Sequence, residues 1–333
     1  MCERARQFGG AAFWPAAVKI QIISPAPKGS TLGNSVTADR YASIFRSLGH
    51  KTTFARIYDN EPVDCVVALH ARRSGPSALA FRARYPKRPL VVVLTGTDLY
   101  RDIRTSRLAQ RALEAASAIV TLQPDGLKLL SSHLRRKTRA IVQSATTVRH
   151  ARRRKRRRFE VCVLGHLRVE KDPFRAAYAL RFLPTSLPIR VTQAGRLLDM
   201  RYAEIARLLE ARFPSRYRYV GELSRAKARR LLASSDAMVI SSRMEGGANA
   251  VCEAIASGIP VLASNISGNV GLLGRKYPGL YPLADTRVLA RFMERTATNA
   301  RFLKLLRDRC AALKPLVTLA HERRAWADLL EAI

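Results

Sequence analysis

Two carboxylates, Glu245 and Glu253, stand eight positions apart in the run Glu245-Gly-Gly-Ala-Asn-Ala-Val-Cys-Glu253-Ala. Gly246 and Gly247 let the backbone come close to a bound molecule. The amides that open the apolar helix after them, around Ala248 and Asn249, form an anion-binding end with a partial positive charge. A phosphate suits that end. Glu253 falls about one turn inside the helix, where it can accept hydrogen bonds from sugar hydroxyls, and Glu245 can face the same cavity from before the turn. On spacing alone, a strand-turn-helix with a solvated glutamate at each end is an equal reading.

A second constellation is Gly165-His-Leu-Arg168-Val-Glu-Lys171-Asp-Pro173, which follows an apolar strand and leads into a helix. Arg168 and Lys171 then project at the mouth of a sheet, where fixed cations can neutralise a diphosphate and stabilise it as a leaving group without a metal. Thr95-Gly96-Thr97-Asp98 follows the run Leu90-Val-Val-Val-Leu94, so its hydroxyls and carboxylate gather at a strand's carboxyl edge. A turn with Asp98 as a helix cap reads equally well. Gly29, Ser30, Gly33 and Asn34 lie in a loop that matches neither a P-loop nor G-x-G-x-x-G, so its interest lies in position. Residues 265–274 read as a flexible loop beyond another strand end. The six histidines do not cluster at metal spacing, and no Ser-His-Asp or Cys-His arrangement stands out. His70 and His166 read as structural or loop residues.

The elements that must carry these groups alternate. Strands are expected at 18–24, 64–69, 90–94, 118–122 and 139–143, then at 159–164, 189–193, 217–220, 237–241 and 260–264. Helices are expected between them, at 77–85, 107–115 and 125–134 in the first half and at 174–182, 201–213, 225–233 and 250–257 in the second. Another runs from 36 to 48, with Asn34 or Ser35 as its N-cap. Alternation of this kind implies α/β architecture with mainly parallel sheets. The expected organisation is a loose extension at 1–17, a Rossmann-like domain at 18–148, a basic linker at 149–158, a second Rossmann-like domain at 159–315 and a C-terminal helix at 316–333 able to cross back onto the first. A cleft between the carboxyl ends of the two sheets follows.

The chain has 333 residues, 47% of them hydrophobic, and a formal net charge of +34. That charge favours anionic ligands. Much of it is arginine scattered through ordinary helices, as at Arg225, Arg229 and Arg230, which reads as solvated surface. The run Arg149-His-Ala-Arg-Arg-Arg-Lys-Arg-Arg-Arg158 argues for a polyanion, but no aromatic residues or nucleic-acid-binding signature accompany it. No dedicated nucleic-acid partner is expected. The five cysteines are odd in number, and none forms a C-x-x-C pair, so reduced thiols and a cytoplasmic location are expected. The uncharged stretch at 254–274 is broken by Gly258, Pro260, Asn265, Gly268 and Asn269, which speaks against membrane insertion.

The pattern Glu245-x7-Glu253 with Gly258-Ile-Pro260, together with Lys171 six residues after Gly165, resembles the family-4-type glycosyltransferases of the GT-B fold, in which two Rossmann-like domains clamp a nucleotide sugar. That family's usual arginine after the glycine is here His166, with Arg168 displaced by two. A closer resemblance, from Lys19 onward, is to the selenosugar synthases of selenoneine biosynthesis. It is carried by Pro25 to Asn34, Thr95 to Tyr100, Gly165 to Pro173, Ser241 to Asn249 and Ser267 to Leu273. It implies a UDP-sugar donor, UDP-N-acetylglucosamine or UDP-glucose, and selenophosphate as acceptor, with no cofactor and no metal. On this reading Lys171 and Arg168 hold the diphosphate and Glu253 the ribose, and Glu245 with the amides of Gly246 to Asn249 orients the sugar. The residues from Gly29 to Asn34 and from Thr95 to Asp98 place the acceptor. The alternatives are a UDP-sugar glycosyltransferase with another small-molecule, glycan or lipid acceptor, and a non-catalytic polyanion-binding protein.

Overall fold

A computed structural model describes residues 17–148 and 158–333. Most of the expected N-terminal extension and of the basic run, at 1–16 and 149–157, lies outside the described residues. Among the described residues, twelve strands form two six-stranded sheets, parallel throughout. The first contains β1 (Lys19–Ile23), β2 (Lys51–Ala55), β3 (Cys65–Leu69), β4 (Leu90–Leu94), β5 (Ala118–Thr121) and β6 (Thr138–Ala140), in the order β2-β1-β3-β4-β5-β6. The second contains β7 (Phe159–Leu164), β8 (Ile189–Ala194), β9 (Tyr217–Tyr219), β10 (Ala237–Ile240), β11 (Val261–Ser264) and β12 (Leu280–Tyr281), in the order β12-β11-β10-β7-β8-β9. In each sheet the winding reverses beside its first strand, and a crevice opens there at the carboxyl ends.

Apolar runs such as Leu90-Val-Val-Val-Leu94 are buried on both faces because helices cover both sides of each sheet. In the first sheet, alternate residues divide between two cores. Val67, Leu69, Val91 and Val93 pack with Tyr41 and Phe45, whereas Val66, Ala68, Val92 and Leu94 pack with Phe81 and Leu113. The C-terminal helix, Leu319–Glu331, joins the first of these cores. Trp326 meets Tyr41 and Phe45 edge-on, with ring centroids 4.6 and 4.9 Å away. The buried Glu322 on the same helix accepts a hydrogen bond from the Ser144 backbone N–H at 2.6 Å, which ties the return crossing to the outgoing one.

Several elements depart from expectation. Strand β2 is an edge strand of sequence Lys-Thr-Thr-Phe-Ala with no fully buried residue, so it lacks the apolar run that marks its neighbours. The expected helix at 125–134 is a short 3-10 segment, Pro124–Leu129, and a separate helix, Ser132–Arg136, started by the Ser131 hydroxyl. The helix Gly33–Ser47 begins earlier than the expected cap at Asn34 or Ser35, and Leu32, at its N-cap, offers no side-chain hydrogen bond. The segment read as a flexible loop at 265–274 contains the helix Ser267–Leu273. Its glycines are packing residues: a Cβ on Gly268 would lie 1.9 Å from the Glu245 carbonyl oxygen, and one on Gly271 would lie 1.8 Å from Gln123 Oε1.

Candidate active site

Between the carboxyl edges of the two sheets lies a cavity of about 350 Å³ lined by both lobes. The lobe built on β7 to β12 supplies Arg168, Lys171, Glu245, Gly246, Gly247, Ala248, Asn249 and Glu253. The lobe built on β1 to β6 supplies Gly33, Asn34, Thr95, Gly96 and Thr97. Residues from four distant stretches of sequence are thereby brought into one cleft. Gly29 and Ser30 do not line it. Asp98 does not line it either: its fully buried carboxylate accepts hydrogen bonds from the backbone N–H groups of Thr95, Gly96 and Ala71 at 3.0, 2.8 and 2.9 Å. Asp98 therefore shapes the Thr95 to Thr97 turn from beneath, and the expectation that it contacts the acceptor directly is corrected.

Glycine at 246 and 247 is demanded by the opposite lobe. A Cβ on Gly246 would lie 2.3 Å from the Thr95 carbonyl oxygen, and one on Gly247 would lie 2.4 Å from Leu122 Cβ. The glycine loop thus docks backbone against backbone on the Thr95 turn. Behind it, Lys171 Nζ makes a short ion pair with Glu245 Oε1, which also accepts a hydrogen bond from Ser242 Oγ at 2.6 Å. Glu253, on the helix Asn249–Ser257, is held by Arg229 Nε at 3.4 Å. Arg40 Nη2 donates to Asn249 Oδ1 at 2.8 Å across the cleft. Burial, the neighbouring Arg229 and the more distant Arg40 lower the Arg225 guanidinium against the opposing pull of Glu253. Arg229 grips a site carboxylate, which corrects its reading as solvated surface; Arg225 is exposed as expected, and it also lines the cavity.

Two histidines also enter the site. His166 Nδ1 accepts from the Arg196 N–H at 3.2 Å, which leaves Nε2 to donate to the Thr31 carbonyl at 3.1 Å. Burial lowers its pKa, favouring the neutral ring. Thr31 also donates its hydroxyl proton to Glu222 Oε1 at 2.6 Å, so the 29–34 loop is fastened twice to the other lobe. His70, at the carboxyl end of β3, is buried, has φ 78° and lies 3.0 Å from Thr97 Oγ1 through Nε2. Desolvation lowers its pKa too, against the opposing pull of Asp98.

Sequence reasoning read His70 as a structural or loop residue and passed over Arg73, Gly195 and Glu222; all four line the cavity. Gly195 had a usable signal, being a glycine just after the expected strand at 189–193. A Cβ there would lie 1.9 Å from the Gly165 carbonyl oxygen. Among the described residues no helix is long and apolar enough to cross a membrane, and no group of three His, Cys, Asp or Glu side chains is placed to hold a metal.

No curated protein matches the sequence. Among solved structures, Anabaena Alr3699/HepE in complex with UDP and glucose superposes with a TM-score of 0.74 at 15% identity, over 95% of this chain and 100% of that one. Sucrose-phosphate synthase from Thermosynechococcus elongatus gives 0.75 at 15% identity, over 94% and 98%. An alpha,alpha-trehalose 6-phosphate synthase from Burkholderia multivorans gives 0.64 at 13% identity, over 80% and 70%. At these identities the likeness establishes the architecture, the two-domain α/β arrangement of GT-B glycosyltransferases. The sequence profile of the group 1 glycosyl transferases matches residues 145–313, just over half of the chain and most of the lobe that carries Arg168, Lys171, Glu245 and Glu253. The chain belongs to the group 1 glycosyl transferase family.

Proposed function

We propose that this glycosyltransferase takes a sugar from UDP-N-acetylglucosamine or UDP-glucose and transfers it to selenophosphate, forming a carbon-selenium bond. The observation that carries the donor half is the convergence of Lys171, Glu245, Glu253 and the opening of the helix Asn249–Ser257 on one wall of one cavity. UDP or UDP-glucose is named in the structures of the HepE neighbour. In this chain Lys171 is held by Glu245, so an incoming diphosphate would exchange one anionic partner for another, with Arg168 and the helix amides sharing the charge. Glu253, steadied by Arg229, would take the ribose hydroxyls, and Glu245 with the glycine loop would orient the sugar.

The acceptor half rests on the resemblance of the Pro25 to Asn34, Thr95 to Tyr100 and Ser267 to Leu273 stretches to selenosugar synthases. In the reaction, the selenium lone pair attacks the anomeric carbon. The bond from that carbon to the diphosphate oxygen breaks, and UDP departs with the electron pair. Selenium needs no general base, so positioning and charge neutralisation suffice. The proposal includes no metal: the diphosphate charge is met by Lys171, Arg168 and the helix amides, and turnover should persist in chelator. It also includes a cytoplasmic location, in keeping with the unpaired buried Cys65, Cys162, Cys252 and Cys310. The test is UDP release from UDP-N-acetylglucosamine and UDP-glucose, with and without selenophosphate, followed by mass spectrometry. Selenium-dependent release with a selenosugar product supports the reading. Release that is indifferent to selenophosphate but stimulated by another acceptor refutes its acceptor half.

A further inference from the structure

The wall of the cleft opposite Lys171 holds a group that donor binding leaves unused. His70 adopts a left-handed backbone conformation at the end of β3, and such outliers persist where the surroundings impose them. Its backbone N–H donates to the Val93 carbonyl at 2.8 Å, and its Nδ1 accepts from the Arg73 backbone N–H at 3.2 Å. Because Nδ1 accepts, the ring proton lies on Nε2 and is donated to Thr97 Oγ1 at 3.0 Å. The Thr97 hydroxyl, occupied as an acceptor by the ring, keeps its own proton for another partner, and Thr97 lines the cavity.

Arg73, three residues after His70, lines the cavity as well and makes no ion pair with any of the described residues. The carboxylates nearest His70, Asp98 and Asp102 at 3.9 and 3.8 Å from its ring, form no ion pair with Arg73. Asp98 is occupied by three backbone amides, and Asp102 is engaged by Arg72 and Arg101. On the facing wall, by contrast, Lys171 and Glu253 both have charged partners. Thus the N-terminal wall presents an exposed guanidinium without an ion-pair partner among the described residues, on a turn whose backbone N–H holds His70, and a cavity hydroxyl whose orientation is fixed by that histidine from behind.

We propose that Arg73 and the Thr97 hydroxyl, with His70 as their positioning residue, form a subsite for a tetrahedral oxyanion that is separate from the diphosphate site. The inference rests on the acceptor reading above and narrows it to acceptors that carry a phosphate-type group. Arg73 supplies charge and a planar fork of donors, and Thr97 supplies a single directed donor. His70 acts through Thr97, to which its Nε2 proton is committed.

The test is calorimetric titration of thiophosphate into UDP-saturated protein at about 0.15 M chloride, where diffuse attraction to a cationic surface is screened. Wild type should bind. Arg73→Ala and Thr97→Val should each weaken thiophosphate tenfold or more and leave UDP affinity within twofold, while Thr97→Ser should retain most of the affinity. His70→Gln, whose amide can still donate to Thr97, should bind more tightly than His70→Ala; equal losses in the two would overturn the positioning role. The subsite is refuted if Arg73→Ala binds thiophosphate as well as wild type does, or if thiophosphate displaces UDP instead of joining it. Should UDP itself not bind, the donor reading fails separately. The subsite is then decided on the unliganded chain, where loss of thiophosphate binding in Lys171→Ala but not in Arg73→Ala would refute it.

Discussion

The cleft has a glycine-bearing loop on each lobe, and the two are held in opposite ways. The loop at 245–249 is fixed by steric necessity, since any side chain on Gly246 or Gly247 would enter backbone or Cβ atoms of the other lobe. The loop at 29–34 has open space around both its glycines and is fixed by polar contacts, through Thr31 to His166 and Glu222. One attachment tolerates no added atom, and a single charged donor, Arg40 to Asn249, supplements it. The other leaves room for added atoms and includes a titratable ring, His166, whose Nδ1 can accept the Arg196 N–H only when neutral. Identical residue types therefore have different reasons for being there, which composition alone does not distinguish.

The largest effect expected from this contrast is that of Gly246→Ala. Its methyl would meet the Thr95 carbonyl and the Gly96 amide, backbone atoms that cannot rotate away, so the lobes must separate or the loop must shift. A displacement of about 1 Å in a positioning group costs on the order of a hundredfold in rate. We expect kcat/KM for a UDP-sugar to fall by about that factor, with an accompanying loss of about 1 to 3 kcal/mol in stability from the forced backbone shift. Near-normal turnover would show that the docking of the two lobes seen here is not the catalytic arrangement.

Next in size are Lys171→Ala and Glu253→Ala, which remove charge from the wall behind the steric loop. Each should lower UDP-sugar turnover by at least about tenfold, equivalent to about 1.4 kcal/mol. A change within about threefold in either would remove that residue from the donor roles given above. These substitutions sharpen the comparison because they leave the backbone docking intact while removing its chemistry.

The polar attachment predicts a pH dependence that the steric one lacks. Burial holds His166 and His70 below the ordinary histidine value of 6.5, so the folded state favours their neutral forms. A depressed histidine contributes stability that is present above that value and is lost as the pH falls through the folded pKa. Thermal midpoints should therefore decline as the pH drops below about 6.5. His166→Gln, which removes one of the titrating rings, should flatten part of the decline. An unchanged slope in that variant would mean that His166 is not one of the groups whose titration destabilises the fold.

The site's legibility in the sequence divides along the same line. Glu245, Glu253 and Lys171 could be read because their spacing lies within single strand-loop-helix units, where local geometry settles where they point. The sheets could be read from runs such as Leu90 to Leu94, whose burial on both faces leaves no polar alternation. Strand β2 could not, because an edge strand with half-exposed threonines looks like a loop. Asp98 was visible as a polar residue at a strand end, but whether it faced ligand or amides depended on the fold of its own turn, whose Thr95 and Gly96 N–H groups it accepts, and on the Ala71 N–H from the turn after β3. His70 and Arg73 gave no signal, since their meaning comes from facing Lys171, about a hundred residues away, across a cleft that exists only when the lobes meet. Arg225 and Arg229 were concealed by the abundance of arginine elsewhere.

The smallest predicted effect separates space from backbone conformation within one loop. A Cβ would meet nothing within 4 Å at either Gly29 or Gly33, so neither is a glycine for want of room. Gly29, however, has φ 75°, whereas Gly33 begins the helix Gly33–Ser47 with an ordinary backbone. Gly29→Ala should therefore cost about 1 to 2 kcal/mol, the penalty of a side chain in the left-handed region. Gly33→Ala should instead raise stability by about 0.4 to 1 kcal/mol, because alanine narrows the unfolded ensemble and favours the helix. Denaturant melts of the two single variants would measure the difference. If both were destabilised equally, the loop would have to be held by contacts beyond Thr31, and the distinction between a sterically fixed loop and a polar one would fail at its weaker end.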